Sequence, residues 1–252
     1  MEITIKGVKC RYEQAGEGKN VLLLHGWGGE AASWLPVYHH LRDKCRVTAL
    51  DFPGHGRSGF PPEDGWGVQE YADFTAEFIR ALGLEGCDIV AHSFGCRVSI
   101  VLSAQQPELV GKLLLTGAAG LRKKPGPAAR LRQGLYKGLK ACCRLLPNGQ
   151  ALRKRLADRF GSRDYRALPE NMRRTFVKVV NEDLSAYLPR IKAQPLLVFG
   201  RQDTETPLWM GQKMEREIPG AGLVVLENAG HFAYLDKLYD FLRIMDAYLF
   251  ET

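Results

Sequence analysis

Ser93 lies in the run Ala91-His92-Ser93-Phe94-Gly95, with a small residue two positions before it and another two positions after. The apolar run Cys87-Asp88-Ile89-Val90 precedes it, and a helical pattern from Gly95 to Ala104 follows. A serine between a strand end and a helix start with such neighbours reads as a nucleophile elbow, a sharp and strained turn in which larger flanking side chains would clash. Ala91 departs from the Gly-x-Ser-x-Gly form by one methyl group. A serine hydroxyl is a weak nucleophile at neutral pH, so it needs a base within hydrogen-bond reach and an acid that orients the base. Behind an elbow serine these follow in the order acid, then histidine. Asp203 comes just after the strand-like run Pro195-Leu196-Leu197-Val198-Phe199-Gly200, and His231 in the loop that follows the strand-like run Gly222 to Leu226.

A fourth part is needed, a pocket for the developing oxyanion. The run Val21-Leu22-Leu23-Leu24 breaks into His25-Gly26-Trp27-Gly28-Gly29. A glycine-rich loop lets backbone N–H groups approach a substrate oxygen closely. The N–H of Trp27 and the N–H of Phe94, directly after the serine, are the expected donors. One such donor is worth about 3–4 kcal/mol at the transition state.

The elements that must position these groups are legible as a pattern. Strands are expected near 2–6, 9–14, 21–24, 46–50, 87–92, 111–116, 195–199 and 222–226. Helices are expected over Glu30–Leu41, Val68–Leu82, Gly95–Ala104, Pro207–Ile218 and Ala233–Phe250, the last with Leu235, Leu238, Leu242, Met245 and Leu249 on one face. Alternating strands and helices predict an α/β fold, a mostly parallel central sheet with helices on both faces. The first two strands, turning near Gly7, would add an antiparallel edge. Ser93, Asp203 and His231 then all follow the carboxyl ends of strands, where an open parallel sheet gathers its ligand crevice.

Together these segments resemble the α/β-hydrolase superfamily, from about Ile3 to Phe250. A further matching piece is Asp51-Phe52-Pro53-Gly54-His55-Gly56-Arg57-Ser58 after the strand Val47-Thr48-Ala49-Leu50. The resemblance implies Ser93 as nucleophile, His231 as base, Asp203 as orienting acid, and Trp27 and Phe94 as oxyanion donors. The His-Gly-Trp-Gly loop is most similar to the serine carboxylesterase branch, which includes the methyl-ester hydrolase of biotin synthesis. In that branch the residue at Trp27 also lines the acyl pocket, and Trp27, Phe94 and Phe232 are the expected substrate contacts. The activity implied is hydrolysis of a carboxylic ester through an acyl-enzyme, without a cofactor. Serine at the elbow argues against dehalogenase chemistry, which places aspartate there. Two alternatives stay open: carbon–carbon bond hydrolysis or lyase chemistry on the same triad, and a small-molecule receptor that keeps a triad.

Of the other histidines, His25 and His55 read as structural, His92 as packing its loop, and His39 and His40 as helix-surface residues. No histidine–carboxylate arrangement with metal-ligand spacing occurs. The six cysteines, at 10, 45, 87, 96, 142 and 143, fit no zinc pattern and read as free thiols of a reducing cytoplasm. The chain of 252 residues has no apolar run of membrane-spanning length, and its start lacks the pattern of a signal peptide.

Charge divides the chain. Residues 120–192 hold 19 Lys/Arg against 5 Asp/Glu, and the rest holds 16 against 23, giving +7 in all. Residues 119–189, which carry most of this basic stretch, are expected from the resemblance to form a helical cap, or lid, inserted into a core formed by 1–118 and 190–252. Three apolar stripes support helices there: Leu131, Leu135, Leu139, Cys142 and Leu146; Leu152, Leu156 and Phe160, ending at Gly161; and Met172, Phe176, Val179 and Val180. Each is expected to be a packing face. The basic surface is read first as solvated. It also suits an anionic or carrier-bound substrate by steering, and less well an anionic membrane surface. With no aromatic stacking platform among the basic residues, no nucleic-acid partner is expected. The oligomeric state is not legible.

Overall fold

The structure, a computed structural model, describes residues 1–61, 65–123 and 163–251, with scattered positions between 126 and 152. Its eight strands are β1 (Glu2–Ile5), β2 (Val8–Ala15), β3 (Asn20–Leu24), β4 (Arg46–Leu50), β5 (Cys87–His92), β6 (Val110–Thr116), β7 (Leu196–Gly200) and β8 (Gly222–Leu226). They form one sheet in the order β1-β2-β4-β3-β5-β6-β7-β8. The β1–β2 and β2–β4 pairs are antiparallel, and every pair from β4 to β8 is parallel. Lys6 and Gly7 close the β1–β2 hairpin between the paired Ile5 and Val8.

Strand periodicity explains the layers, because successive side chains point to opposite faces. Leu22, Leu24, Ile89, Ala91, Leu113, Leu115, Leu197 and Phe199 enter one core, against α2 (Val68–Ala81), α3 (Phe94–Gln105) and α6 (Leu208–Glu217). Val21, Leu23, Val47, Ala49, Val90, Leu114 and Val198 enter the other, against α1 (Leu35–Leu41) and α8 (Leu238–Phe250). Both faces of the central strands are covered, which is why those strands read as unbroken apolar runs.

Between β6 and β7 the described chain holds α4 (Arg163–Ala167), α5 (Glu170–Asn181) and a 3-10 segment, Ser185–Arg190. In α5, Met172 and Val179 are buried as the stripe predicts, while Val180 is 42% exposed. The first stripe behaves otherwise: Leu131, Leu135 and Leu139 are 77%, 57% and 38% exposed, and Cys142 and Leu152 are exposed too. Spacing aligns such residues on one face but supplies no element to cover them. Leu146, Leu156, Phe160 and Gly161 lie outside the described residues.

Two helices differ from expectation. The segment Glu30–Leu41 begins as a 3-10 turn, Ala31–Trp34, before α1 starts at Leu35 with Pro36 in its first turn. The expected single helix Ala233–Phe250 is two, α7 (Ala233–Asp236) and α8, because Lys237 leaves the helical region at φ −129°, ψ 49°. The break resets the helical face. Phe241, Met245 and Leu249 are buried, and Leu235, expected on that face, is 42% exposed.

Candidate active site

Ser93 follows β5 and caps α3 with φ 49°, ψ −101°, a conformation that costs a non-glycine residue of order 1–3 kcal/mol. Its neighbours over-determine it. Ser93 N–H donates to the Thr116 carbonyl (3.2 Å) and Gly95 N–H to that of His25 (3.1 Å). A Cβ on Gly95 would press into the Leu24 carbonyl oxygen, so the helix start approaches β3 at a distance only glycine allows.

Asp203 and His231 come to Ser93 from the ends of β7 and β8. Ser93 Oγ lies 3.0 Å from His231 Nε2, and His231 Nδ1 lies 2.9 Å from Asp203 Oδ2. A carboxylate only accepts, so Nδ1 carries the proton and Nε2 is free to take one from the serine hydroxyl. Asp203 is buried, which by itself raises its pKa. The hydrogen bonds from His231 and from Thr206 Oγ (2.6 Å) and N–H (2.9 Å) outweigh burial and hold the carboxyl below its ordinary range. Glu205, the near alternative in sequence, donates its own N–H to Asp203 Oδ1 (2.8 Å).

The two expected oxyanion donors, the N–H groups of Trp27 and Phe94, make no hydrogen bond among the described residues. Phe94 is the first residue of α3, whose N–H has no partner within the helix. Behind this loop His25 is fully buried and neutral, its pKa lowered to about 3 by burial. Its Nε2 accepts from Phe52 N–H (3.0 Å), which leaves Nδ1 to donate to the Gly26 carbonyl (2.7 Å). Asp51, also buried, accepts from the N–H groups of Ala31 (2.6 Å) and Arg57 (2.9 Å). His55 donates Nδ1–H to the Pro53 carbonyl (3.1 Å) and packs edge-on against Trp27, and burial lowers its pKa to about 4. The structural reading of His25 and His55 therefore fits, and the Asp51 loop braces the Gly26–Gly29 loop.

A cavity of about 1310 Å³ opens over these groups, with Trp27, Ser93, Phe94 and His231 in its wall. Helix α5 contributes Phe176, Val179 and Val180, and Phe176 packs against Trp27 at 5.3 Å between ring centroids. Phe232 is half exposed, lines the same cavity and packs against His92. Among the described residues no cluster of three or more His, Cys, Asp or Glu is arranged to hold a metal ion, and no helix is long and apolar enough to cross a membrane.

Three residues belong to this framework that spacing did not single out. His92 does pack a loop, but the loop is that of His231: its Nε2 donates to the His231 carbonyl (3.0 Å) and its ring reaches the cavity wall. Burial lowers its pKa to about 3, so it is neutral and its Nε2 carries the proton. Asp236 accepts from Gly230 N–H (2.7 Å), tying the residue before His231 to α7. Thr206 shares Asp203 with His231. An Asx-type turn, Asp-x-x-Thr, was the available signal for Thr206; His92 meets a loop 139 positions away, and Asp236 reaches back six positions to Gly230. Of the surface histidines, His39 is exposed and His40 bonds Asp246 (2.9 Å).

The chain matches the alpha/beta hydrolase family over residues 21–241. It is 28% identical to a 2-hydroxy-6-oxo-6-phenylhexa-2,4-dienoate hydrolase of Comamonas testosteroni, covering 92% of this chain and 88% of that protein. Among solved structures, an esterase from Exiguobacterium antarcticum superposes with a TM-score of 0.78 at 23% identity, covering 98% of each chain. A bacterial membrane phospholipase A superposes with a TM-score of 0.79 at 22% identity, covering 99% of this chain and 84% of that one. At those structural identities the likeness is one of fold. The eight-stranded, mostly parallel sheet, the strained serine at its centre and the match over most of the sequence agree: the chain is a member of the alpha/beta hydrolase family.

Proposed function

We propose that the protein is a serine hydrolase cleaving carboxylic esters, with Ser93 as nucleophile, His231 as base and Asp203 as the acid that orients it. The observation that carries this reading is the unbroken line from Ser93 Oγ through His231 to Asp203, at 3.0 and 2.9 Å. Ser93 attacks the ester carbonyl as His231 Nε2 takes its proton. The N–H groups of Trp27 and Phe94 hold the tetrahedral oxyanion. His231 then protonates the leaving alcohol, and water releases the acyl group by the same route. Residues 119–189 are read as the lid over the cavity, and the protein as cytoplasmic.

The test is turnover of p-nitrophenyl esters from acetate to palmitate, with Ser93→Ala alongside. Wild type should turn over a band of acyl lengths, and Ser93→Ala should fall by roughly 10⁴- to 10⁶-fold. Variant activity near wild type would overturn the assignment. A second reading, carbon–carbon bond hydrolysis, has the Comamonas relative in its favour. Turnover of a ring-cleavage vinylogous diketone faster than any ester in the series would establish it instead.

A further inference from the structure

Arg97 sits one turn into α3, four residues after Ser93, and is only 8% exposed. A helical side chain leans toward the helix N-terminus, so Arg97 leans back toward the serine, and it lines the same cavity. Among the described residues its guanidinium makes one hydrogen bond, from Nη1 to the Glu182 carbonyl (3.0 Å), and no ion pair. The nearest acids, Glu182 and Asp183, act on it through space while their oxygens hold backbone groups. Glu182 accepts from Val68 N–H (3.1 Å), and Asp183 accepts from the N–H groups of Ser185 (2.9 Å) and Arg122 (3.2 Å). Burial lowers the Arg97 pKa to about 10, which leaves it charged at neutral pH.

The Glu182 and Asp183 carboxylates raise the Arg97 pKa through space, but neither makes an ion pair with it among the described residues. Buried N–H donors left unfilled are costly unless something pairs with them. The five N–H donors of a guanidinium match a carboxylate in a planar fork. The cavity wall adds Arg122 and Lys123 and, among its described residues, one surface carboxylate, Glu205. We infer that Arg97 is an anion-recognition residue, and that the substrate carries a carboxylate on its acyl side, a few bonds from the scissile carbonyl, as in a half-ester of a short dicarboxylic acid. This inference rests on the hydrolase reading above and narrows it to a substrate class.

The probes are 4-nitrophenyl hydrogen succinate, glutarate and adipate, each against the neutral ester of equal acyl length, butyrate, valerate and hexanoate. The readout is the ratio of kcat/KM between charged and neutral partner. Arg97→Gln keeps a donor for the Glu182 carbonyl and removes the charge; Arg97→Lys keeps the charge and loses the fork. Wild type should prefer one charged ester. Arg97→Gln should lower that preference by roughly 10- to 100-fold, the range of a lost charged hydrogen bond, with Arg97→Lys between. A preference for neutral esters in wild type, or an unchanged ratio in Arg97→Gln, would overturn the inference. Binding of free glutarate, read as a thermal shift, supplies a measure independent of turnover: stabilisation of wild type but not of Arg97→Gln supports the site, and none in either overturns it. Failure of every ester, with Ser93 unlabelled by a fluorophosphonate, would count against the hydrolase reading instead.

Discussion

His92 Nε2 donates to the backbone carbonyl of His231 at 3.0 Å, so the residue before Ser93 holds the loop of the proposed base. The two loops leave the sheet from different strands, β5 and β8, which are not neighbours in it. This bond joins the two loops across the positions of β6 and β7.

Replacing His92 with Phe keeps a ring against Phe232 and Tyr234 and removes the donor. A lost net hydrogen bond of about 1 kcal/mol predicts a fall in kcat of about five-fold. His92→Gln, which retains an N–H, should recover part of it. Because His92 stays neutral down to about pH 3, neither variant should move the pH–rate profile between pH 5 and 8. A displaced acid limb would show that His92 titrates in the reaction.

Asp203→Asn tests orientation. An amide can present its N–H to His231 Nδ1 and so favour the tautomer with the proton on Nε2, facing the serine. The expected loss in kcat is about 10⁴-fold with the fold retained. The same substitution reports on stability. The depressed Asp203 pKa contributes stability that is present above the ordinary carboxyl pKa and is lost as pH falls through the folded value. The stability gap between wild type and Asp203→Asn should thus be full at pH 7 and close under strong acid, measured by urea unfolding at stepped pH.

The buried histidines predict acid sensitivity at milder pH. His25, His55 and His92 have folded pKa values of about 3, 4 and 3, against 6.5 for the free side chain. The unfolded chain binds their protons first, so stability is full above pH 6.5 and falls as pH drops toward 4. Each group contributes up to about 1.4 kcal/mol per pH unit in that window. Denaturation midpoints at pH 7, 6 and 5 should decline progressively, and less steeply in His55→Phe. A flat profile would mean that these rings are protonated in the folded state.

Gly95→Ala should destabilise the protein by several kcal/mol, since its methyl meets the Leu24 carbonyl and the β3 backbone cannot yield cheaply. Ala91→Gly, by contrast, should leave folding and turnover close to wild type if the elbow tolerates the extra methyl. Thermal unfolding of both variants separates steric demand at the two flanks of Ser93.

The sequence by itself determined the sheet and the three residues brought together past the carboxyl ends of its strands. Apolar runs of strand length, such as Leu22–Leu24 and Leu113–Leu115, carry their own period, and turn residues mark where they stop; the order of Ser93, Asp203 and His231 follows from those stops. Local chemistry also marked the Gly26–Gly29 loop, because backbone that must approach a substrate needs small residues. Where local pattern was incomplete the reading failed. Lys237 separates α7 from α8 without any proline or glycine to announce it, and Leu131, Leu135 and Leu139 are exposed among the described residues.

Only the tertiary structure decided the contacts between residues far apart in the chain. His92 meets His231 across 139 positions, Arg97 meets Glu182 across 85, and Phe176 reaches Trp27 from another part of the chain. A side chain's period records which way it points, not what it meets. Whether a buried histidine is neutral or a buried arginine keeps N–H donors unfilled depends on distances that arise only when the strands have been set side by side.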